Sequence, residues 1–355
     1  MQIVVLNTSF ESIYILDTFE SLIWTDRYNR YGDFQLDLSI SQDLLMYLQE
    51  DYYLYLKESE HVMIIESIRI KSDAENGNKL IVKGRSLESI LDRRIVWKQT
   101  RIVGNLQNGI KKLLQENVIS PSDASRKIAN FVFEDSTDSA ITGLTIDTQY
   151  TGDNIYTAIT KLCERFSLGF KVVLDNDNFV FKLYAGTNRS YDQLENPYVV
   201  FSPSFENIVN SDYYSSKAEM KTVALIAGEG EGTDRKTSVV TIAGGAGSDL
   251  QRRELYVDAR YISQNLGDTT LTDAEYIAQL NQRGNEKMDE NARITAFDGQ
   301  METTRLYVYG EDFFMGDIVQ ISNEYGIEAK ARVVELIRSQ SVEGIDIYPT
   351  FTTTE

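Results

Sequence analysis

One histidine and one cysteine limit the chemistry open to this chain of 355 residues. Nucleophilic catalysis of the Ser–His–Asp or Cys–His kind would have to run through His61, the sole imidazole. His61 stands against the apolar run Val62-Met63-Ile64-Ile65, so its expected role is structural, at a strand edge. Cys163 shares a helical face with Ile155, Ile159, Leu162 and Phe166 and reads as a small core residue, not a nucleophile. A lone cysteine forms no intrachain disulfide, and one His with one Cys supplies too few soft ligands for zinc.

The other candidates are loops. Asp175-Asn176-Asp177-Asn178 offers the oxygen ligands calcium takes, yet it lacks the Gly and terminal Glu of an EF-hand and runs straight into a strand. A tight turn is expected there. Gly228-Glu229-Gly230-Glu231-Gly232 has the glycine content of a phosphate loop, but its two glutamates repel phosphate and no Lys-Ser/Thr follows. Gly244-Gly245-Ala246-Gly247 reads the same way, and the pair is expected to mark two surface loops of a hairpin on the second β region. The assignment is therefore no catalytic, no cofactor-binding and no metal-ligating residue, no cofactor, and no enzyme.

Composition narrows the partners. Lys and Arg number 35 against 54 Asp and Glu, a net charge of −19 that repels nucleic-acid phosphates. This argues against a DNA reader that grips the backbone, but not against a passage through which DNA slides without specific binding. No apolar run approaches the roughly 18 residues of a membrane span, and the N-terminus lacks a signal peptide's basic flank, so no stable membrane insertion is expected. Apolar residues make up 42% and charged residues 25%, the balance of a globular protein of several domains.

The elements that would position these residues are mostly strands. Phe34, Leu36, Leu38 and Ile40 alternate with Gln35, Asp37 and Ser39, giving one apolar face. Further strands are expected at 2–6, 12–16, 20–25, 52–57, 62–71 and 79–84, with a hairpin turn at Asn76-Gly77-Asn78. Leu106, Ile110, Leu113 and Leu114 then define a helix capped by Asn105. The Ile155–Phe166 face defines a second helix with Asp153 near its start, and strands at 170–174 and 179–184 follow. Strands resume at 198–202, 222–227, 236–242 and 252–257. Thr272-Asp273-Ala274-Glu275 is a capping box opening a helix over about 272–292. Its stripe, Ile277, Leu280, Gly284 and Met288, is narrow enough to predict a half-exposed helix or one facing a partner. Strands at 294–298, 304–309, 317–322, 328–338 and 344–351 close the chain. The expected fold is α+β, mostly β: a first β-barrel domain over 1–97, an α+β domain over 98–197, and a second β-barrel domain over 198–355 carrying the helical segment.

Ile64-Ile65-Glu66-Ser67-Ile68-Arg69 is echoed by Val333-Val334-Glu335-Leu336-Ile337-Arg338. Either two amphipathic strands agree by chance, or the chain holds two similar barrels.

Three blocks carry a family resemblance. They are Trp24-Thr25-Asp26-Arg27-Tyr28 with Tyr31-Gly32-Asp33-Phe34; Gly84-Arg85-Ser86-Leu87-Glu88-Ser89-Ile90-Leu91-Asp92-Arg93-Arg94; and Gly310-Glu311-Asp312-Phe313-Phe314-Met315-Gly316-Asp317-Ile318-Val319, ending in Pro349-Thr350-Phe351. With these the chain resembles the tail-tip or baseplate hub, or tail-associated, family of long-tailed bacteriophages, similar to contractile-phage baseplate hubs. The resemblance implies a homotrimeric structural hub with two barrels per chain, which adapts a six-fold tail tube to a three-fold tip and forms the distal DNA channel. It implies a place in the virion, at the tail tip, after synthesis in the bacterial cytoplasm. The implied partners are the tail tube and distal tail protein ring, the tape-measure protein, and downstream tip or receptor-binding proteins. From the residues themselves, Arg85, Arg93 and Arg94 are expected to pair with Glu88 and Asp92, and Asp317 to satisfy turn amides. The chain stops four residues after Phe351, so wall cutting and receptor binding are expected to come from other proteins. Because phage tails carry wall-cutting activities, the alternative is a glycosidase with two carboxyls about 5–10 Å apart in an aromatic cleft. A carbohydrate-binding adhesin is weaker, because both Trp residues lie within the first 97.

Overall fold

The computed structural model describes residues 1–73, 77–266, 270–301 and 306–354, with the backbone alone at 73, 209–211 and 297–301. Period-two alternation becomes seven strands and a short unforeseen helix: β1 (Ile3–Leu6), β2 (Ser12–Leu16), β3 (Ser21–Arg27), β4 (Asp33–Ser39), α1 (Gln42–Tyr47), β5 (Tyr53–Leu56), β6 (Val62–Asp73) and β7 (Gly77–Ser86). Asn76 of the expected hairpin turn lies outside the described residues. The strands pair antiparallel in the order β2-β1-β5-β6-β7-β4-β3. Alternate residues of β4, namely Phe34, Leu36 and Leu38, join Leu16 of β2 and Leu22 and Trp24 of β3 in one buried core. The two ends of the sheet thus share a core, yet no ladder joins β2 to β3 among the described residues. The region curls without closing, so the expected closed barrel is not found.

The middle region holds β8 (Thr100–Asn105), α2 (Leu106–Leu114), β9 (Phe131–Glu134), α3 (Ser139–Thr142), β10 (Thr145–Tyr150), α4 (Ile155–Arg165), β11 (Gly169–Asp175) and β12 (Asn178–Tyr184). Asn105 caps α2, its side chain accepting from Asn108 N at 3.0 Å. Asn154, not Asp153, caps α4 by accepting from Thr157 N at 3.1 Å, while Asp153 turns back to Thr151 N. The apolar faces of both helices lie in one core with Phe170 and Phe181, Cys163 fully buried and Phe166 partly so.

The last region holds β13 (Val200–Phe201), β14 (Ile208–Ser216), β15 (Val223–Ala227), β16 (Thr237–Thr241), β17 (Glu254–Asp258), α5 (Asp273–Glu290), β18 (Ile294–Met301), β19 (Ile318–Ser322), β20 (Glu328–Ser341) and β21 (Gly344–Thr354). The capping box of α5 is complete between Thr272 and Glu275. β15, β16 and β17 form a separate small sheet that packs on α5 with its own core. Leu280 and Met288 therefore face a sheet of the same chain, not a partner. The glycine loops belong here too: the first joins β15 to β16, and the second lies between β16 and β17, on the small sheet rather than the large one. Of the strand expected at 304–309, residues 304–305 lie outside the described residues. The rest is irregular, with one bridge from Tyr309 to Phe313.

The pairing order β14-β18-β21-β20-β19-β13 repeats the order β3-β4-β7-β6-β5-β1, strand for strand and in the same chain sequence. β15, β16, β17 and α5 are an insertion between the first two members. The repetition reaches single hydrogen bonds. In β6 a bulge sets Glu66 out of register between Ile65 and Ser67; in β20 a bulge does the same to Val334, between Val333 and Glu335. Ile65 N donates to Tyr52 O at 2.8 Å and Asp51 N to Ile65 O at 2.9 Å; Val333 N donates to Asp317 O at 2.9 Å and Gly316 N to Val333 O at 2.8 Å. Asp51 and Gly316 both have positive φ, 65° and 92°. Val333 is thus the counterpart of Ile65, one residue out of step with the sequence echo. Two differences stand: β13 runs parallel to β19 where β1 runs antiparallel to β5, and β2 has no counterpart among the described residues. The two β regions fuse through β3 and β20, pairing Arg27 with Glu335 through Leu22 with Gln340, into one 13-stranded sheet.

Candidate functional site: a buried ionic joint

The three blocks that carried the resemblance meet where β3, β20 and the middle region touch. Asp26, on β3, is 3% exposed. Its carboxylate accepts from Trp24 Nε1 at 3.1 Å, from Ser59 Oγ at 2.9 Å to each oxygen, and from the guanidinium of Arg338 on β20. Arg338 is 4% exposed, so this is a desolvated ion pair across the two β regions. One residue on, Arg27 binds Glu335 at 2.6 Å and also Asp33. Tyr28 follows β3 directly and ties three regions together. Its N–H donates to Val334 O at 2.9 Å, its hydroxyl donates to Ser167 O at 2.9 Å, and its carbonyl accepts from Phe170 N at 3.1 Å. Burial pushes the Tyr28 hydroxyl pKa up to about 12. Gly316, at φ 92°, lies against the Tyr28 ring where a Cβ would collide. Asp317 beside it accepts from Thr187 N at 2.7 Å, Phe314 N at 3.0 Å and Arg189 Nε at 2.7 Å.

A second buried pair anchors the first β region to the middle one. Residues 87–93 form a 3₁₀ turn that sinks Glu88 to complete burial. Glu88 accepts from Val172 N of β11 at 2.7 Å and from the Ser86 hydroxyl, and its Oε1 lies 3.0 Å from Nδ1 of His61. Burial alone disfavours the His61 cation, but the charges of Glu88 and Asp26 overcome it and push the pKa up to about 9. Burial likewise works against the Glu88 carboxylate, and the His61 charge overrides it, leaving its pKa lowered. The expected cluster of Arg85, Arg93 and Arg94 with Glu88 and Asp92 is corrected accordingly. Arg85 binds Glu66 at 2.7 Å and Asp92 at 3.1 Å, Arg93 reaches Asp51 at 3.9 Å, and Arg94 donates to Arg126 O. The signal for Glu88 was its place in the apolar stretch Leu87–Leu91, where a glutamate needs a cation, and His61 was beside its own apolar run.

Residues 2–351 match the sequence profile of the Siphovirus ReqiPepy6 Gp37-like protein family. The chain belongs to this family. The fold of the Gp37-like chain is similar to three solved tail proteins at low identity. A prophage MuSo2 43 kDa tail protein from Shewanella oneidensis shares 9% identity at TM-score 0.60, over 99% of this chain and 98% of the other. A tail protein from Neisseria meningitidis MC58 shares 15% at 0.58, over 99% and 95%. The prophage tail protein gp18 from Listeria monocytogenes EGD-e shares 11% at 0.54, over 100% and 96%. No curated protein sequence matches the chain. By family the Gp37-like chain is a siphovirus-type protein, and its fold is that of the solved phage tail proteins.

A polar cleft of about 770 Å³ opens beside the joint, lined by Arg27, Arg30, Glu164, Lys330, Arg332 and Glu335 among others. Its two carboxylates are each held by an arginine, Glu164 by Arg30 at 2.7 Å and Glu335 by Arg27. Its one aromatic residue, Tyr28, is 1% exposed. The Gp37-like chain offers a sugar neither an aromatic floor nor a free pair of acids in this cleft. Among the described residues no group of three or more His, Cys, Asp or Glu is placed to hold a metal, and no helix is long and apolar enough to cross a membrane. Asp175-Asn176-Asp177-Asn178 is a two-residue hairpin turn with Asn176 and Asp177 at φ 46° and 62°. Cys163 is fully buried, and burial pushes its thiol well above the ordinary range.

Proposed function

We propose that this chain is the hub of a long-tailed phage tail tip. Three copies would set six β regions around one axis, adapting a six-fold tail tube to a three-fold tip and forming the distal DNA channel. The observation that carries this reading is the repeated pairing order of the two β regions, fused side by side through β3 and β20. A chain that contains the same module twice presents a six-fold pattern from three copies, which is the arithmetic a six-to-three adaptor requires. Each module is read as an unclosed barrel, and the domain partition proposed is 1–97, 98–197 and 198–355, the last carrying an insertion of β15, β16, β17 and α5.

The proposed place is the virion tail, with the tail tube, the distal tail protein ring, the tape-measure protein and downstream tip proteins as neighbours. DNA passes without specific binding, in keeping with a net charge of −19. The test is the mass of the purified protein in solution at high concentration, then a ring average of the assembled tip. Three copies per ring with six matching lobes is the expected result. A protein that stays monomeric at every concentration, and in the tip, refutes the reading.

A further inference from the structure

We propose that copies of this chain join head to tail by strand pairing, β14 of one copy lying antiparallel on the free edge of β6 in the next. The inference rests on the ring reading above and adds its interface and register. Within the chain, β20 gives one edge to β21 and divides the other between β19, at Glu328–Arg332, and β3, at Glu335–Gln340. Its counterpart β6 gives one edge to β7 and the other to β5 only at Val62–Ile64, so the edge of Ser67–Ser72 carries no strand among the described residues. The counterpart of β3 is β14, which pairs with β18 on one side and with no described strand on the other. Each chain therefore holds, on its terminal strand β14 and along the uncovered part of β6, the two unjoined halves of a contact it already makes once internally. Such open edges are templates for pairing.

The pairing ladders fix the register without reference to side chains. Across the ladders of each region, Trp24 lies opposite Phe34, then Gly84, then Ile65; Tyr213 lies opposite Phe297, then Phe351, then Val333. Tyr213 is thus the counterpart of Trp24, whose partner on β20 is Arg338. Arg338 lies five residues beyond Val333 (338 − 333), and five beyond Ile65 is Ile70. Tyr213 of one copy then faces Ile70 of the next, Tyr214 faces Arg69, and Asp212 faces Lys71.

The side chains agree with a register derived from backbone pairing alone. Ile70, 51% exposed, gains an aromatic neighbour; Tyr214, 55% exposed, gains a guanidinium; and Asp212 meets an ammonium. Among the described residues neither Arg69 nor Lys71 has an ion-pair partner within its own chain. On a chain of net charge −19, copies repel, and contact is favoured where the Arg69 and Lys71 edge meets an acid. Because the two surfaces differ, the contact is heterologous, and it closes into a three-copy ring when each copy is turned by one third of a revolution from the last.

The test is Asp212→Cys combined with Lys71→Cys in the full chain, the native Cys163 being buried. Directly opposed antiparallel residues bring Cβ atoms to about 4.5–5.5 Å, within reach of a short bismaleimide and near disulfide range. The double variant should give covalent oligomers on a denaturing gel, and either single variant should stay monomeric there. In parallel, Lys71→Glu should weaken assembly roughly fivefold to tenfold, and adding Asp212→Lys should restore it. Assembly of the expected mass without cross-links, or without rescue, overturns the register and leaves the hub reading standing. A monomer at every concentration overturns both.

Discussion

His61 is the only histidine, so its titration can be followed by a single imidazole resonance. The perturbation is pH itself. The folded pKa lies at about 9 against 6.5 for a free imidazole, because the opposing charges of Glu88 and Asp26 outweigh the cost of burial. A folded pKa above the unfolded one means the native state binds the extra proton between those values. The stabilisation is then fully present below pH 6.5 and lost as pH rises through about 9. The difference of about 2.5 pKa units corresponds to about 3 kcal/mol, with a slope no steeper than about 1.4 kcal/mol per pH unit. Glu88 runs the other way. Its pKa is lowered, so its contribution is present above the ordinary 4.5 and lost as pH falls. The pair is therefore worth most between 4.5 and 6.5.

The assay is a carbon-detected or proton titration of the His61 ring, paired with urea unfolding of the native chain and of His61→Gln. Between about pH 6.5 and 9.5 the native chain should lose about 3 kcal/mol more than the variant. The variant keeps Glu88 buried without a cation, so it should also be the less stable protein at neutral pH. A ring that titrates at or below the free value, or equal pH slopes for both proteins, would refute the assignment of an ionised pair.

Arg338→Met strands the Asp26 carboxylate in the core and should cost about 3–5 kcal/mol in urea unfolding, while Asp26→Leu with Arg338→Met should recover most of it; additive losses would contradict a desolvated pair. Gly316→Ala meets both a left-handed backbone and the Tyr28 ring, whereas Gly310→Ala, at φ 89°, has open space around its Cβ. The first should therefore lower the melting temperature well beyond the second, and equal shifts would remove the Tyr28 contact from the account. Chelator or added calcium should leave the melt unchanged, since Asp175-Asn176-Asp177-Asn178 is a hairpin turn; a calcium-dependent rise would restore a metal site.

Much of the fold was legible because half-buried strands advertise themselves by alternation, as β4 does with Phe34, Leu36 and Leu38. The strands that escaped lack that signature. β14 is largely polar and is held by its ladder to β18, and β10, Thr-Ile-Asp-Thr-Gln-Tyr, owes its state to β8 beside it. In such segments tertiary pairing decides what propensity does not. Asn154 rather than Asp153 caps α4 because one residue of offset decides which side chain reaches the Thr157 amide. The joint was less legible still. The blocks were visible, but nothing in a linear reading brings Asp26 to Arg338, 312 positions away, or Glu88 to Val172. The echo showed that two strands agree, while the bulges at Glu66 and Val334 show that their true alignment is shifted by one.

That shift bears on what the joint is for. Under the sequence echo, Arg338 would match Arg69, and the two arginines would be repeats of one surface residue. Under the backbone alignment Arg338, which is buried, matches Ile70, which is exposed, at one position of the module. In the second region it carries a cation that β3 neutralises with Asp26; in the first it carries an exposed isoleucine with no strand beside it. The same place in the module is therefore built for an internal neighbour in one case and left open in the other. Replacing a buried ion pair by apolar side chains often costs little stability, so Asp26 and Arg338 are poorly explained as mere adhesive. They are better explained as marking which neighbour belongs at that edge. An apolar pair there would let β20 accept β14 from another copy more readily, and in the proposed ring the alternation of internal and external contacts would be weakened.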